Sequence, residues 1–297
     1  MPSADTRSVS GACDVVFLAL AKNCRRSLPQ FVQMVRDLRA SGLTCEIVVG
    51  ENGSTDGTRE FLSAVQRQGE ATLVSTGSMA GVTDRLRRMA IGREFIKQHF
   101  AGLGIVSQFV CVVDLDDVMR RHPSVSAFRR ALATLTARRD LFAISATSSP
   151  HYYDLLAYED DESCFEFLLE NLRAHRTSLG TYYRFFVREI YPHQRRLSLE
   201  GEHLCRSAFN GMCLYRASDY FANSYLDDNA GASRCEHLIF NRRLAATTGG
   251  RVMIAPDMIV STPSDHRQRS LLPFAWRRIK KAMTLMPRLR AGDHAVH

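Results

Sequence analysis

The stretch Phe109-Val110-Cys111-Val112-Val113-Asp114-Leu115-Asp116-Asp117 sets an unbroken apolar run against a cluster of acid. A short run of this kind, rich in valine, predicts a strand buried on both faces, as in a parallel sheet covered by helices. Three carboxylates at its end repel one another, and that cost calls for a compensating cation. A hard divalent ion, Mn²⁺ or Mg²⁺, itself bridging a diphosphate, suits oxygen ligands of this sort. The plain alternative is a solvated acidic turn that caps a helix.

On either side of this run, Asp14 to Ala21, Cys45 to Gly50, Ala71 to Ser75 and Leu141 to Ser145 read as further strands, and the segments between them carry helical spacing. Leu28 to Arg39, for instance, places Phe31, Met34, Val35 and Leu38 on one face. This β-α rhythm predicts an α/β fold with a mostly parallel central sheet flanked by helices, and ligands held outside the carboxyl ends of the strands. The second half is less regular. His151 to Tyr158 is aromatic and loop-like, Ser163 to Arg173 reads as a helix, and Thr181 to Arg196 mixes aromatic and basic residues without a clear period. Ser207 to Tyr215 resembles strand material broken at Asn210-Gly211; Cys235 to Ala246 reads as a helix and Arg251 to Ile254 as a short strand.

Two further constellations carry chemistry. Glu51-Asn52-Gly53-Ser54-Thr55-Asp56-Gly57-Thr58 follows the second strand directly. Its glycines permit a tight turn, and Ser54, Thr55 or Asp56 can cap the next helix. A nucleotide-binding loop, a plain strand-to-helix turn and a glycosylation sequon at Asn52 are the competing readings, the last requiring secretion. Glu236, after Cys235, begins a helix, where a carboxylate serves either as a cap favoured by the helix dipole or as a general base.

Composition narrows the class. At 297 residues and 45% hydrophobic content the chain can bury one large core. Its eight cysteines stand singly, with no C-x-x-C pair, and read as reduced thiols. The apolar run Val15 to Ala21 lacks a basic leader and reads as a strand rather than a signal peptide. No stretch approaches the roughly 20 apolar residues of a membrane-spanning helix, so a cytoplasmic protein, at most peripheral on the inner face of the membrane, is expected. The formal charge is +8, but beyond His266 eight basic residues face the single acid Asp293, which leaves the rest of the chain near neutrality. A nucleic-acid-binding body would be basic over its folded face, so no nucleic-acid partner is expected.

In combination these motifs resemble the GT-A glycosyltransferases, family 2-like enzymes in particular. The resemblance rests on the acid followed by N-x-S-x-D-x-T, the D-x-D-D after the central strand, and the later acid before a helix that leads to Gly250 and Pro256. Ser207 to Gly211, Cys235-Glu236-His237 and the arginine-rich Asp84 to Glu94 are similar to the capsule-associated mannosyltransferases of fungi. The resemblance implies a GT-A domain over 12–262, with a nucleotide-sugar-binding half at 12–146, an acceptor and catalytic half at 147–262, and a basic amphipathic tail at 263–297. It implies transfer of a hexose, mannose among the candidates, from a UDP- or GDP-sugar to a glycan or lipid-linked acceptor. Glu51 and Asn52 would contact the donor, Arg85 and Arg93 approach it, and Asp114 lie near ribose or metal. Asp116 would be the principal metal ligand with Asp117 beside it, His266 a further ligand, and Glu236 the catalytic carboxylate. Glu51 stands where the family has aspartate, and Cys235-Glu236 replaces an acidic pair, which leaves inversion or retention open.

A nucleotidyltransferase or sugar-phosphate transferase would share the sheet and the acids, but Leu18 to Arg26 lacks the glycine- and lysine-rich phosphate loop such enzymes use. A GT-A-like binding protein without activity is the non-enzymatic alternative. The aromatics His151, Tyr152, Tyr153, Tyr158, Tyr182 and Tyr183 read as packing or as sugar-stacking platforms. In the tail, Leu271, Leu272, Phe274, Trp276 and Ile279 interleave with Arg277, Arg278, Lys280 and Lys281. Such a stretch either packs on the domain with a solvated basic face or lies on an anionic membrane surface.

Overall fold

The computed structural model describes residues 11–79, 81–166, 168–175, 178–199, 201–227, 234–267, 269–276 and 278–279. Arg277, Lys280, Lys281 and the rest of the tail lie outside the described residues. The first half alternates as its sequence predicts: β1 (Ala12–Ala21), α1 (Leu28–Ala40), β2 (Cys45–Glu51), α2 (Thr58–Arg67), β3 (Thr72–Ser75), α3 (Arg85–Gly102), β4 (Val106–Asp114), α4 (Val125–Ala137) and β5 (Leu141–Ser149). The second half adds α5 (Leu168–Ala174), α6 (Leu179–Phe185), a π-helical turn at Phe186–Ile190, α7 (Tyr191–Leu199), β6 (His203–Cys205), β7 (Met212–Arg216), α8 (Ala217–Phe221), α9 (Glu236–Thr248), β8 (Arg251–Ser261) and α10 (Ser264–Arg267).

The strands form one sheet in the order β3-β2-β1-β4-β7-β5-β8-β6. Only β6 and β7 run against the others. The fold is therefore mixed α/β with a mostly parallel sheet, as expected. Alternation along β1 sends Val15, Phe17 and Ala19 to one face, against α1, α2 and α4, and Val16 and Leu18 to the other, against α3, α8 and α9. Both faces are thus buried, which is why the central strands read as continuous apolar runs. The parallel arrangement brings the ends of β2, β4, β5 and β8 to the same edge, and the loops that follow them emerge there.

Three expectations about the second half need correction. Thr181 to Arg196 is helical almost throughout; the π-turn between α6 and α7 inserts a residue and shifts the apolar stripe, so no single period runs through it. Of Ser163 to Arg173 only the part from Leu168 is helical, because Cys164 bridges to Glu159 in extended form. β5 and β8 both continue beyond their predicted ends, pairing from Leu141 with Arg251 to Ser149 with Ser261.

Candidate functional site

The site begins where β4 ends. Asp114 is the last residue of the strand, and its N–H donates to the Gly211 carbonyl at 2.9 Å. Leu115 turns into the core and its carbonyl accepts from the Ser27 hydroxyl, which directs Asp114 and Asp116 to the same mouth. Asp116 caps a short 3₁₀ turn, its Oδ1 accepting from the Val118 N–H at 3.0 Å. Asp117 pairs with Arg120 at 2.9 Å, and its Oδ2 accepts from Ser264 at 2.7 Å. That last bond ties α10 to the acidic turn. His266, two residues on, packs its ring 5.6 Å from that of Tyr153.

Opposite the acidic turn lies Asn210-Gly211, both with positive φ. A Cβ on Gly211 would meet Val118 Cγ1 at 2.5 Å and the Tyr153 hydroxyl at 2.7 Å, so only glycine admits this approach. Asn210 Oδ1 accepts from the Tyr153 N–H at 3.1 Å and holds the loop after β5 in place. The loop delivers Asp154, a carboxyl that sequence reading missed. The rule that functional residues follow strands would have found it, had β5 not been expected to end at Ser145.

Arg93 occupies the floor. It is 1% exposed, donates from Nη2 to Asp114 Oδ1 at 2.7 Å and from Nε to Glu236 Oε1 at 3.1 Å, and stacks its guanidinium 5.0 Å above the Phe209 ring. Burial disfavours its charge, but Asp114 and then Glu236 more than offset that and stabilise the cation. Glu236, at the first turn of α9, is nearly enclosed. Its neighbour His237 lies flat on Phe209, ring centroids 3.5 Å apart, and burial, reinforced by Arg93, keeps it neutral.

The remaining acids are crowded. Asp116 reaches solvent, yet desolvation by the surrounding protein, then Asp114 and Asp117, push its carboxyl up to about 6. Burial, then Asp114 and Glu236, push Asp154 up to about 7. The opposing charge comes in part from Arg85, exposed at the start of α3, which draws both back towards ionisation. Among the described residues no three His, Cys, Asp or Glu side chains are grouped to hold a metal ion. The donor chemistry nonetheless fits a hard dication: oxygen ligands whose mutual repulsion such an ion would remove.

The Glu51 loop stands apart from this cluster as a laced structure of its own. Glu51 is 1% exposed; Oε1 accepts from the Ser54 N–H at 2.5 Å and Oε2 pairs with Arg59 at 2.9 Å. Burial opposes its charge, but these bonds prevail and hold the carboxyl below its usual range. Asn52 continues from β2, its N–H donating to the Ala21 carbonyl at 3.0 Å. The loop after β1 docks on it, with Asn23 N–H to Ser54 at 3.0 Å and Arg25 N–H to Asp56 at 3.1 Å. The N-cap of α2 is Gly57, in the left-handed region, rather than Ser54, Thr55 or Asp56; Asp56, just before it, accepts from the Thr58 N–H at 3.1 Å and hydroxyl at 2.6 Å. Of the aromatic group, Tyr152, Tyr158 and Tyr182 are core packing, whereas Tyr153 borders Asp114, Asp116 and Asp154.

No protein-family model and no curated protein matches the chain. It is similar in structure to TarS residues 1–349 of S. aureus (12% identity, TM-score 0.47, covering 84% of this chain and 60% of that one). It is also similar to the mannosyltransferase PcManGT from Pyrobaculum calidifontis, solved with GDP-Man and Mn²⁺ (13%, 0.48, 87% and 59%). A third is glucosyl-3-phosphoglycerate synthase from Mycobacterium tuberculosis, solved with Mn²⁺, UDP and phosphoglyceric acid (14%, 0.41, 84% and 68%). The chain spans about three fifths of the length of the first two.

Proposed function

We propose that the chain is a glycosyltransferase that moves a hexosyl residue from a UDP- or GDP-sugar to a glycan or lipid-linked acceptor in polysaccharide assembly. One observation carries this reading. Asp114, Asp116, Asp154 and Glu236 converge with Arg85 and Arg93 at the carboxyl edge of the sheet. Acids in need of a dication beside the exposed guanidinium of Arg85, which is suited to an anion, are the complement of a metal-bound diphosphate, while Arg93 holds Asp114 and Glu236 from below. The likeness of Ser207 to Gly211 and Cys235-Glu236-His237 to the capsule-associated mannosyltransferases is the reason to try mannose first.

Asp114 and Asp116 would hold Mn²⁺ or Mg²⁺, with His266 as a further ligand. When bound, the ion supplies Lewis-acid stabilisation of the leaving diphosphate. Arg85 and the N-terminus of α3 add fixed positive charge towards the same group. Glu51 and Asn52, with the loop they organise, hold the nucleoside side of the donor. Residues 12–146 thus bind the donor, and 147–262 supply Glu236 and the acceptor surface. Glu236 Oε1 is committed to Arg93. Oε2 is the atom that takes the acceptor hydroxyl proton as that oxygen attacks the anomeric carbon.

The test is a thermal-shift screen of UDP-, GDP- and CMP-sugars with and without Mn²⁺. A UDP- or GDP-sugar should raise the melting temperature only with the ion present. No shift with any nucleotide sugar, in Mn²⁺ or Mg²⁺, would sink the proposal.

A further inference from the structure

Residues 271–276 and 278–279 are helical, and this segment has two unlike faces. At about 100° per residue, Phe274 and Arg278 share one side, and Leu272, Trp276 and Ile279 share the opposite one. The first side is locked to the protein. Phe274 is fully buried, its ring 5.1 Å from Tyr183, 5.2 Å from Phe186 and 5.6 Å from Tyr182. The Arg278 guanidinium lies 3.5 Å from the centroid of Phe274 and 5.1 Å from those of Tyr182 and Phe186. Just upstream, Arg269 bonds Gln194 at 2.9 Å and stacks on Tyr191 at 4.7 Å.

The second side faces outward with large apolar groups: Leu272 is 81% exposed, Trp276 64% and Ile279 48%. Leu271 at the edge is exposed to a similar degree. An apolar patch of this kind on a monomer marks an interaction surface. The charge around it identifies the partner. Eight basic residues against one acid lie between Arg267 and the end of the sequence, a surplus of seven in a chain of net +8. Apolar side chains ending in an indole, set in strongly basic sequence, match the acyl boundary and anionic headgroups of a bilayer.

We infer that Leu272, Trp276 and Ile279 form a membrane-docking face for anionic lipid, fixed to the catalytic lobe by Phe274 and Arg278 on the other side of the same helix. Packing and membrane binding, alternatives for this stretch in the sequence, are then assigned to its two faces. The Ser264–Asp117 bond places the acidic turn just upstream, so docking would set the site beside a lipid-linked acceptor. Docking itself does not depend on the transferase reading, and its test needs no substrate.

Trp276 is the sole tryptophan, so its emission reports on this face alone. The full chain is titrated with vesicles of phosphatidylcholine, with and without phosphatidylglycerol, while emission and co-sedimentation are recorded. Emission should shift to the blue and the protein should pellet with the anionic vesicles, both effects falling as salt rises. Leu272→Ser together with Ile279→Ser, which leaves the probe in place, should weaken partitioning at least about tenfold at unchanged melting temperature. A chain ending at Arg269 should not pellet. Unaltered Trp276 emission with anionic vesicles, or equal partitioning of the double variant, would overturn the inference. A blue emission in lipid-free buffer that grows with protein concentration would assign the face to a second copy of the chain and overturn it equally.

Discussion

Arg93 on α3 donates to Glu236 on α9 across 3.1 Å, joining two residues that are 143 positions apart in the chain, and with its other arm it holds Asp114. The carboxylate proposed for catalysis and the first carboxylate of the acidic turn therefore share one buried cation.

Arg93→Met keeps the volume and removes the charge, which leaves a nearly enclosed carboxylate unpaired. The expected loss is about 3 kcal/mol of stability, measured by urea denaturation. Adding Glu236→Gln should restore part of it, because the second change removes the charge that the first one strands. A double variant less stable than Arg93→Met alone would show that the two residues do not act as a pair.

Asp116→Asn should abolish transfer and the Mn²⁺-dependent donor shift without lowering the melting temperature of the metal-free protein. The folded-state pKa of Asp116 is raised, to about 6. Its carboxyl therefore favours folding at low pH and opposes it as pH rises towards and past that value, so a neutral amide costs nothing at pH 8. Near-normal turnover in this variant would remove Asp116 from the metal site.

For Glu236→Gln we expect kcat to fall by about 10²-fold or more while donor affinity changes little, as for a group acting in the transition state. Product NMR supplies the second readout. Retention of anomeric configuration would reassign Glu236 from proton acceptor to the residue that positions Arg93.

His237 sets an acid limit to stability. Its folded-state pKa lies well below 6.5, because burial and then Arg93 disfavour the imidazolium. The unfolded chain takes up the proton first, so this contribution is present above pH 6.5 and is lost as pH falls below it. His237→Phe, which can keep the stack on Phe209, should gain about 1.4 kcal/mol relative to wild type on going from pH 8 to pH 5.5. The difference between the two proteins isolates His237 from the carboxyls that titrate in the same range. A pH-independent difference would reject this account.

Local chemistry made much of the fold legible. Apolar runs such as Phe109 to Val113, buried on both faces, could belong only to interior strands, and the stripe Phe31, Met34, Val35, Leu38 only to a helix with one buried face. The acids at the ends of β2 and β4 were visible for the same reason, since polar residues directly after such runs mark the edge of the sheet. Where long-range pairing sets the outcome, the reading stopped short. β5 runs past its apolar stretch, and β8 past the break at Pro256-Asp257, because each supplies the other with a hydrogen-bonding partner, and Asp154 was lost with the missing end of β5. The π-turn at Phe186–Ile190 concealed two helices by shifting their common stripe.

The α/β class, the position of the acidic turn and the basic, apolar character of the tail follow from local sequence, because each is written in residues adjacent along the chain. Long-range packing puts Arg93 beneath the acids rather than among the groups open to solvent, brings Asp154 to them, and turns Phe274 inward while Trp276 turns out. Each of these depends on which distant elements meet, and burial, which keeps His237 neutral and raises Asp154, exists only once they have met.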